Sequence, residues 1–330
     1  MHQTIATFSA VLLLTGLGLV TAQGNGGPGG GAGMMGRTAG NNTNPLCGTT
    51  ANAPSVNHTI QGGVRYFQSN GCPPTNWTDH NYPAPNGMTY GQARSYNFPV
   101  IVNQTPVLQA NISDALYVGI SNPVKGPIGI TLTGVALYSA VDALNRDAII
   151  YEGRTFDTCG GHSTPDPVNT YHYHSMPGDS STISHNGTRN SNFTYCPAMQ
   201  SWLLPVNTTN NHSALFGVFV DGVPIYGPLG DGGKLPTDLD ACNGHVDASH
   251  SFYHYHATSD YPYLVDCLRG CINSTLSYIQ GATIPACKPA AQQYNYSSLD
   301  AEITARLEHV GVINGTMVNG TVVNGTMVLL

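Results

Sequence analysis

The sequence predicts a mainly β protein: duplicated β-rich halves packed as one disulfide-bonded domain, with one short C-terminal helix. Three observations predict it. Short apolar runs alternate with Gly, Pro, Asn and Thr from about Pro45 to Pro289, and helical periodicity is nearly absent there. An ordered set of motifs occurs twice. The cysteines number eight, an even count suited to pairing in an oxidising compartment.

Taken along the chain, residues 1–22 read as a signal peptide. An apolar run from Phe8 to Val20 ends in Val20-Thr21-Ala22, a small-residue cleavage pattern, although no Lys or Arg precedes it. The run is short for a membrane span, so none is expected in the mature chain. Residues 23–44 form a Gly-rich linker. Its Gly24-x-Gly26-x-x-Gly29 has neither a preceding strand nor a following helix, so it is a compositional accident rather than a dinucleotide site. The domain proper spans 45–290. Strand-like runs are "ALYVGI", "IGITLTGVALY" and "ALFGVFV"; "GVFVDGVPIYG" reads as two strands about Asp221-Gly222, with Pro224 arguing for an edge or an early departure from the ladder. In the last segment, 291–330, Leu299, Ile303, Leu307 and Val310 recur at helical spacing. Ser297 with Asp300 resembles a capping box, and Gly311 a stop. The repeated Asn-Gly-Thr tail is glycosylated or β-prone and too interrupted to anchor in a membrane.

Charge narrows the function. Of 330 residues only 9% are charged, and the net charge is -7. No basic field exists to hold nucleic acid or an anionic membrane. Fourteen Asn-x-Ser/Thr sequons suggest that N-linked glycans supply solubility, which fits a secreted, extracellular protein.

The repeat carries the chemistry. Asp157-x-Cys159-x-Gly161-His162 matches Asp240-x-Cys242-x-Gly244-His245, and Tyr171-His172-Tyr173-His174 matches Tyr253-His254-Tyr255-His256. The first offset, 83 residues, also aligns Gly134-Val135 with Gly217-Val218; the second is 82. The repeat covers about 134–178 and 217–260. In His-x-His on a strand both imidazoles project from one face, with Cα atoms about 6.6 Å apart, so they can converge on one ion. The β-favouring tyrosines support the extended backbone and face the other way. His162 and His245 each offer a third ligand beside a cysteine whose disulfide would stiffen the turn. The expected metal ligands are therefore His162, His172, His174, His245, His254 and His256, in two sites or in one built across the halves. All-imidazole ligation suits copper or zinc. Asp157 and Asp240 could accept the outer N–H of a ligand His, or could simply cap backbone N–H groups of their turns. Tyr171, Tyr173, Tyr253 and Tyr255 form the surrounding shell.

An activity would use an open coordination position, for copper redox chemistry or zinc-assisted hydrolysis; no carboxylate base is evident for the latter. The alternative is a non-catalytic extracellular matrix or surface module with structural His/Tyr networks. Asp231, Asp238 and Asp240 could touch calcium, but not as an EF-hand loop. His58, His212 and His250 lie in loop-like sequence and are expected exposed, with His212 and His250 held in reserve because they lie near a motif. His80, His185 and His309 have no counterpart in the other copy. Copy logic pairs Cys159 with Cys196 and Cys242 with Cys267, leaving Cys47 with Cys72 and Cys271 with Cys287.

These residues resemble the YHYH domain family of secreted proteins. The resemblance runs from about Gly134 to Gly270 and rests on "DTCGGH", both "YHYH" motifs, "GVFVDGVPIYG", "DACNGH" and "YPYLVDCLRG". It implies secretion and brings no established activity. Cys196 and Cys267 fall where the family places a cysteine after each motif. The insert "STPDPVN" and the sequon-rich stretch from Ser184 to Ser213 are longer than the family pattern.

Overall fold

The computed structural model describes residues 44–47, 54–73, 93–157, 159–165, 169–177, 210–277, 279 and 281–309, and the backbone of 322–323 and 326–327. The expected signal peptide, nearly all of the linker, Cys196, His80, His185, Val310 and Gly311 lie outside them.

The frame is a mixed sheet of eight strands. Its centre is two hairpins, β5 (Pro127–Thr131) with β6 (Ala136–Tyr138) and β9 (Leu215–Phe219) with β10 (Pro224–Tyr226). β5 and β9 run antiparallel, with Ile130 opposite Val218. β8 (Tyr171–Tyr173) lies parallel to β6, and β7 (Gly161–Ser163) closes that edge antiparallel to β8. The other side repeats the pattern: β12 (His254–His256) is parallel to β10, and β11 (Gly244–His245) is antiparallel to β12. The order β11-β12-β10-β9-β5-β6-β8-β7 therefore reads as the same kinds of strand from either edge. Cross-bonds match too: Leu132 N donates to Phe216 O at 2.8 Å, and Val220 N to Ile128 O at 2.9 Å.

This symmetry corrects one alignment. Gly134 corresponds to Gly222, an offset of 88 residues, not to Gly217. Both sit in the hairpin turn with positive φ, +90° and +84°, and each donates its N–H across the turn at 2.9 Å, to Thr131 O and Phe219 O. Pro224 is corrected as well. β10 is an interior strand; Pro224 tolerates this because it is the first residue and only Ile225 and Tyr226 pair with β12.

Every residue of β9 is buried, as are Ile128, Ile130, Val135, Leu137, Val223 and Ile225. Continuous apolar strands of this kind need cover on both faces. One covering element is the antiparallel sheet of β1 (Val56–Gln61), β2 (Val64–Ser69) and β3 (Phe98–Asn103), whose Val56, Phe67, Val100 and Val102 enter the same core. Another is the C-terminal helix, Ser297–His309, here α2. Its Leu299, Ile303 and Leu307 are buried in that core, each contributing about 1.5–3 kcal/mol by leaving water. β4 (Leu116–Tyr117) pairs with β13 (Cys267–Leu268), and β14 (Val322–Val323) with β15 (Thr326–Met327) in the tail. A short helix not expected from the sequence, α1 (Ala148–Glu152), begins at Asp147, whose carboxylate accepts from Ile149 N at 2.9 Å and Ile150 N at 3.2 Å.

Disulfides join Cys47 to Cys72, Cys242 to Cys267 and Cys271 to Cys287. Cys159 is also disulfide-bonded; its expected partner lies outside the described residues. No helix among the described residues is long and apolar enough to cross a membrane.

The capping box at Ser297 does not form. Asn295 Oδ1 takes Ser297 N at 2.9 Å, while Asp300 turns to the fully buried Arg65 and to Gln104. The guanidinium needs that carboxylate more than the helix end does, because an uncompensated buried charge is costly. His58, expected exposed in a loop, instead lies half-buried on β1, stacked on Phe67 at 4.8 Å and bonded to Arg65 at 3.1 Å. Asp300→Ala should therefore cost about 2–4 kcal/mol in urea unfolding, and the double variant Arg65→Met/Asp300→Ala should recover most of it. A double variant no more stable than the single one would contradict this account of the pair.

Candidate metal centre

Each candidate centre grows from the ladder at one edge of the sheet. His162 stands directly opposite His172 across β7 and β8, and His245 opposite His254 across β11 and β12. Two residues further on, His174 and His256 return to the same face. The third histidine is thus delivered by antiparallel pairing, not by a free turn.

Asp157 and Asp240 build the approach to that ladder. Each accepts from the backbone N–H of the following cysteine and glycine: Cys159 at 3.0 Å and Gly161 at 3.2 Å, Cys242 at 2.8 Å and Gly244 at 3.2 Å. Each also takes a tyrosine hydroxyl, Tyr171 for Asp157 and Tyr253 for Asp240. Neither accepts from a ligand His, so the outer-N–H role expected for them is corrected. The tyrosine rings pack so tightly that a Cβ at Gly161 or Gly244 would lie 2.2 Å from the hydroxyl oxygen of Tyr171 or Tyr253, which is why glycine precedes each histidine. Tyr171, Tyr173, Tyr253 and Tyr255 are buried on the face away from the imidazoles, with Tyr255 donating to Asp221 at 2.7 Å.

The outer nitrogens are held by the backbone. His172 Nδ1 lies 3.0 Å from Thr170 O, and His174 Nδ1 2.6 Å from Ser139 O. A carbonyl only accepts, so both Nδ1 atoms carry the proton. His162 Nδ1 is 2.7 Å from Thr155 Oγ1, whose hydrogen goes to Glu152 O at 2.6 Å; the hydroxyl must therefore accept from His162. In the second half, His254 Nδ1 donates to Phe252 O at 3.0 Å and His256 Nδ1 to Gly227 O at 2.6 Å, while His245 Nδ1 faces Asp238 Oδ1 at 2.8 Å.

A neutral ring with Nδ1 protonated presents its lone pair at Nε2. These lone pairs converge. Nε2 of His172 is 3.1 Å from that of His162 and 3.0 Å from that of His174; His254 and His256 stand at 3.2 Å. A tetrahedral ion with bonds of about 2.0–2.1 Å sets its donors ~3.3 Å apart, close to this spacing. A proton is a poor substitute. Burial first, then the neighbouring imidazoles, push His162, His172 and His254 well below the ordinary histidine range; burial holds His174 at about 4 and His256 at about 3. Aromatic rings line the first cluster: Tyr138 stacks on His172 at 3.9 Å, and Phe156 meets His162 edge-on at 4.8 Å.

Sequence reasoning missed two groups, Glu152 and Asp247, and held two more, His212 and His250, only in reserve. Glu152, at the end of α1, brings Oε2 to 3.6 Å from His174 Nε2 and 3.8 Å from His162 Nε2, the carboxylate that the motif lacked. Asp147 followed by apolar residues and Gly153 was the available helix signal. Asp247 follows His245 by two residues, which on extended backbone shares its face. His212 and His250 are not solvent-exposed; His212 is buried, His250 half-buried, and both join Asp247 and His254 in a second set of donors. The calcium alternative dissolves: Asp231 serves Asn210, Ala248 and Ser249, Asp238 faces His245, and Asp240 holds its turn and Arg269. The structure thus brings His162, His172 and His174 together, and His245, His254 and His256 together, as two clusters at opposite edges of the sheet order.

Burial pushes the Asp157 carboxyl up to about 7, against the tyrosine and backbone bonds that pull it down. The folded state then holds a proton that the unfolded chain releases near pH 4. Its contribution is complete below that pH and is lost as pH rises towards 7, by about 1.4 kcal/mol per unit. Urea unfolding should show wild type losing stability relative to Asp157→Asn between pH 4 and 7; parallel profiles would remove this assignment.

No curated protein and no solved structure matches the chain. A family model does, and it begins before β5 and ends at Gly233, short of the second Tyr-His-Tyr-His. Residues 104–233, with the first complete His cluster inside them, match the family described as YHYH protein.

Proposed function

We propose that this is a secreted, N-glycosylated protein that holds copper or zinc at His162, His172 and His174 and at His245, His254 and His256. The observation that carries the reading is the convergence of Nε2 lone pairs whose Nδ1 atoms are all committed elsewhere. Such an arrangement is repulsive by itself and favourable around a cation. Three imidazoles leave a fourth position open, where copper would supply redox chemistry or zinc a polarised water. Glu152 stands close enough to the first centre to complete the ligand set or accept a proton.

Secretion draws on the disulfides and on the sequons. Among the described residues, Asn57, Asn103, Asn111, Asn211, Asn273 and Asn295 are all at least partly exposed, as glycan attachment requires. A second reading, a non-catalytic matrix or surface module, is favoured by one feature: the Tyr–Asp bonds that tie both turns would hold the sheet with or without an ion.

Elemental analysis of the purified mature protein should find stoichiometric copper or zinc, with an EPR signal if it is Cu(II). His172→Ala/His174→Ala should empty the first centre and His254→Ala/His256→Ala the second, while circular dichroism stays native. Acidification should release the metal as imidazoles protonate. Full metal content in a variant lacking all four histidines would defeat the proposal.

A further inference from the structure

The two centres are not equivalent. Among the described residues, three imidazoles meet one carboxylate, Glu152, at the first edge. At the second, five imidazoles and three carboxylates gather: Asp247 in the middle, Asp238 behind His245 and Glu302 behind His250. The donors fall into two overlapping sets. One is His245, His254, His256 and Asp247; the other is His212, His250, His254 and Asp247, and within each set the ligand atoms lie within 4.8 Å of one another.

We propose that the second centre is a two-cation site bridged by Asp247, which rests on the metal reading above and extends it. His254 can serve one ion only, because its Nδ1 is committed to Phe252 O. Asp247 has two oxygens. Oδ2 lies 3.2 Å from His212 Nε2, 3.8 Å from His245 Nε2 and 3.9 Å from His254 Nε2; Oδ1 lies 3.8 Å from His250 Nδ1. His212 Nδ1 donates to Ser213 O at 2.7 Å, so its Nε2 presents a lone pair to a carboxylate oxygen. Two acceptors at that distance repel unless a cation lies between or beside them.

The unpartnered atoms point the same way. His212 Nε2, His245 Nε2, His250 Nδ1 and Asp247 Oδ2 are all buried and without a hydrogen-bond partner. Buried polar groups are rarely left so, and three ring nitrogens around one carboxylate with an unpartnered oxygen mark a missing ligand. One ion cannot gather them all: with bonds of about 2.1 Å it reaches donors no more than about 4.2 Å apart. Two ions at about 3.5–4 Å sharing a carboxylate can. His245, His256 and His254 would hold one, His212 and His250 the other, with an oxygen of Asp247 on each. The three carboxylates offset most of the charge of two divalent ions, and Glu302 Oε2, 3.7 Å from His250 Nε2, stands behind that ring as Asp238 does behind His245.

The test isolates this centre. Full-length His172→Ala/His174→Ala, stripped with chelator and loaded with zinc, should retain two zinc ions per chain in native mass spectrometry, and wild type three. Adding His212→Ala/His250→Ala should leave one. Loaded with Cu(II), the first variant should show a spin-coupled pair rather than an isolated ion. One zinc in the first variant, with an uncoupled Cu(II) spectrum, overturns the bridged pair but leaves the three-histidine reading standing. No zinc in wild type overturns both. If the quadruple variant does not fold, the count and the spin coupling in the first variant still decide.

Discussion

The site depends on one constraint: the outer nitrogen of each motif histidine is tied, in four cases out of six to a backbone carbonyl. That bond fixes the tautomer and the ring direction together. Ser139 and Gly227 follow β6 and β10, and Thr170 and Phe252 precede the Tyr-His-Tyr-His strands, so the acceptors belong to the same ladders that carry the rings. Moving a ring would mean abandoning a buried hydrogen bond, which costs about 1–3 kcal/mol. The lone pairs are therefore aimed before any ligand arrives. The cost of that preorganisation is repulsion among nitrogens about 3 Å apart, which the apolar surroundings strengthen.

The rest of the structure serves to hold those ladders. The palindromic sheet sets β8 against β6 and β12 against β10 at matching registers. Its core of Val, Ile, Leu and Phe is buried on both faces, and α2 and the three-stranded sheet contribute to the cover. Tyr171 and Tyr253 reach under their own glycines to the turn aspartates, clamping β7 to β8 and β11 to β12 from the side opposite the imidazoles. Cys242, next to one such turn, is bonded to Cys267 on β13, and Arg269 adds a charge to Asp240 at 2.8 Å.

Much of this could be read from the residues. Alternation in Tyr-His-Tyr-His implied extended backbone and imidazoles on one face, and both follow from the period of two. The repeated Asp-x-Cys-x-Gly-His placed the third histidine, and the pairing of Cys242 with Cys267 followed from the copies. What the sequence hid were long-range partners. Glu152 reaches the first centre from a five-residue helix too short to show periodicity. His212 and His250 come from loop-like stretches that hydropathy marks as exposed; only the fold folds them inward. The Gly217 alignment failed because the two hairpins match in length while the connection from β6 to β7 is longer than that from β10 to β11, so no single offset holds. Asp157 and Asp240 favoured their own turns over the histidines because the backbone N–H groups two and four residues on lie within hydrogen-bond reach.

The central claim concerns protons and lone pairs, and nitrogen-15 NMR of labelled, chelator-treated protein at neutral pH reads them directly. The account predicts Nδ1–H tautomers at His172, His174, His254 and His256, with each Nε2 unprotonated in the apo protein and shifted strongly on adding zinc. Nε2–H tautomers, or Nε2 resonances indifferent to zinc, would contradict it.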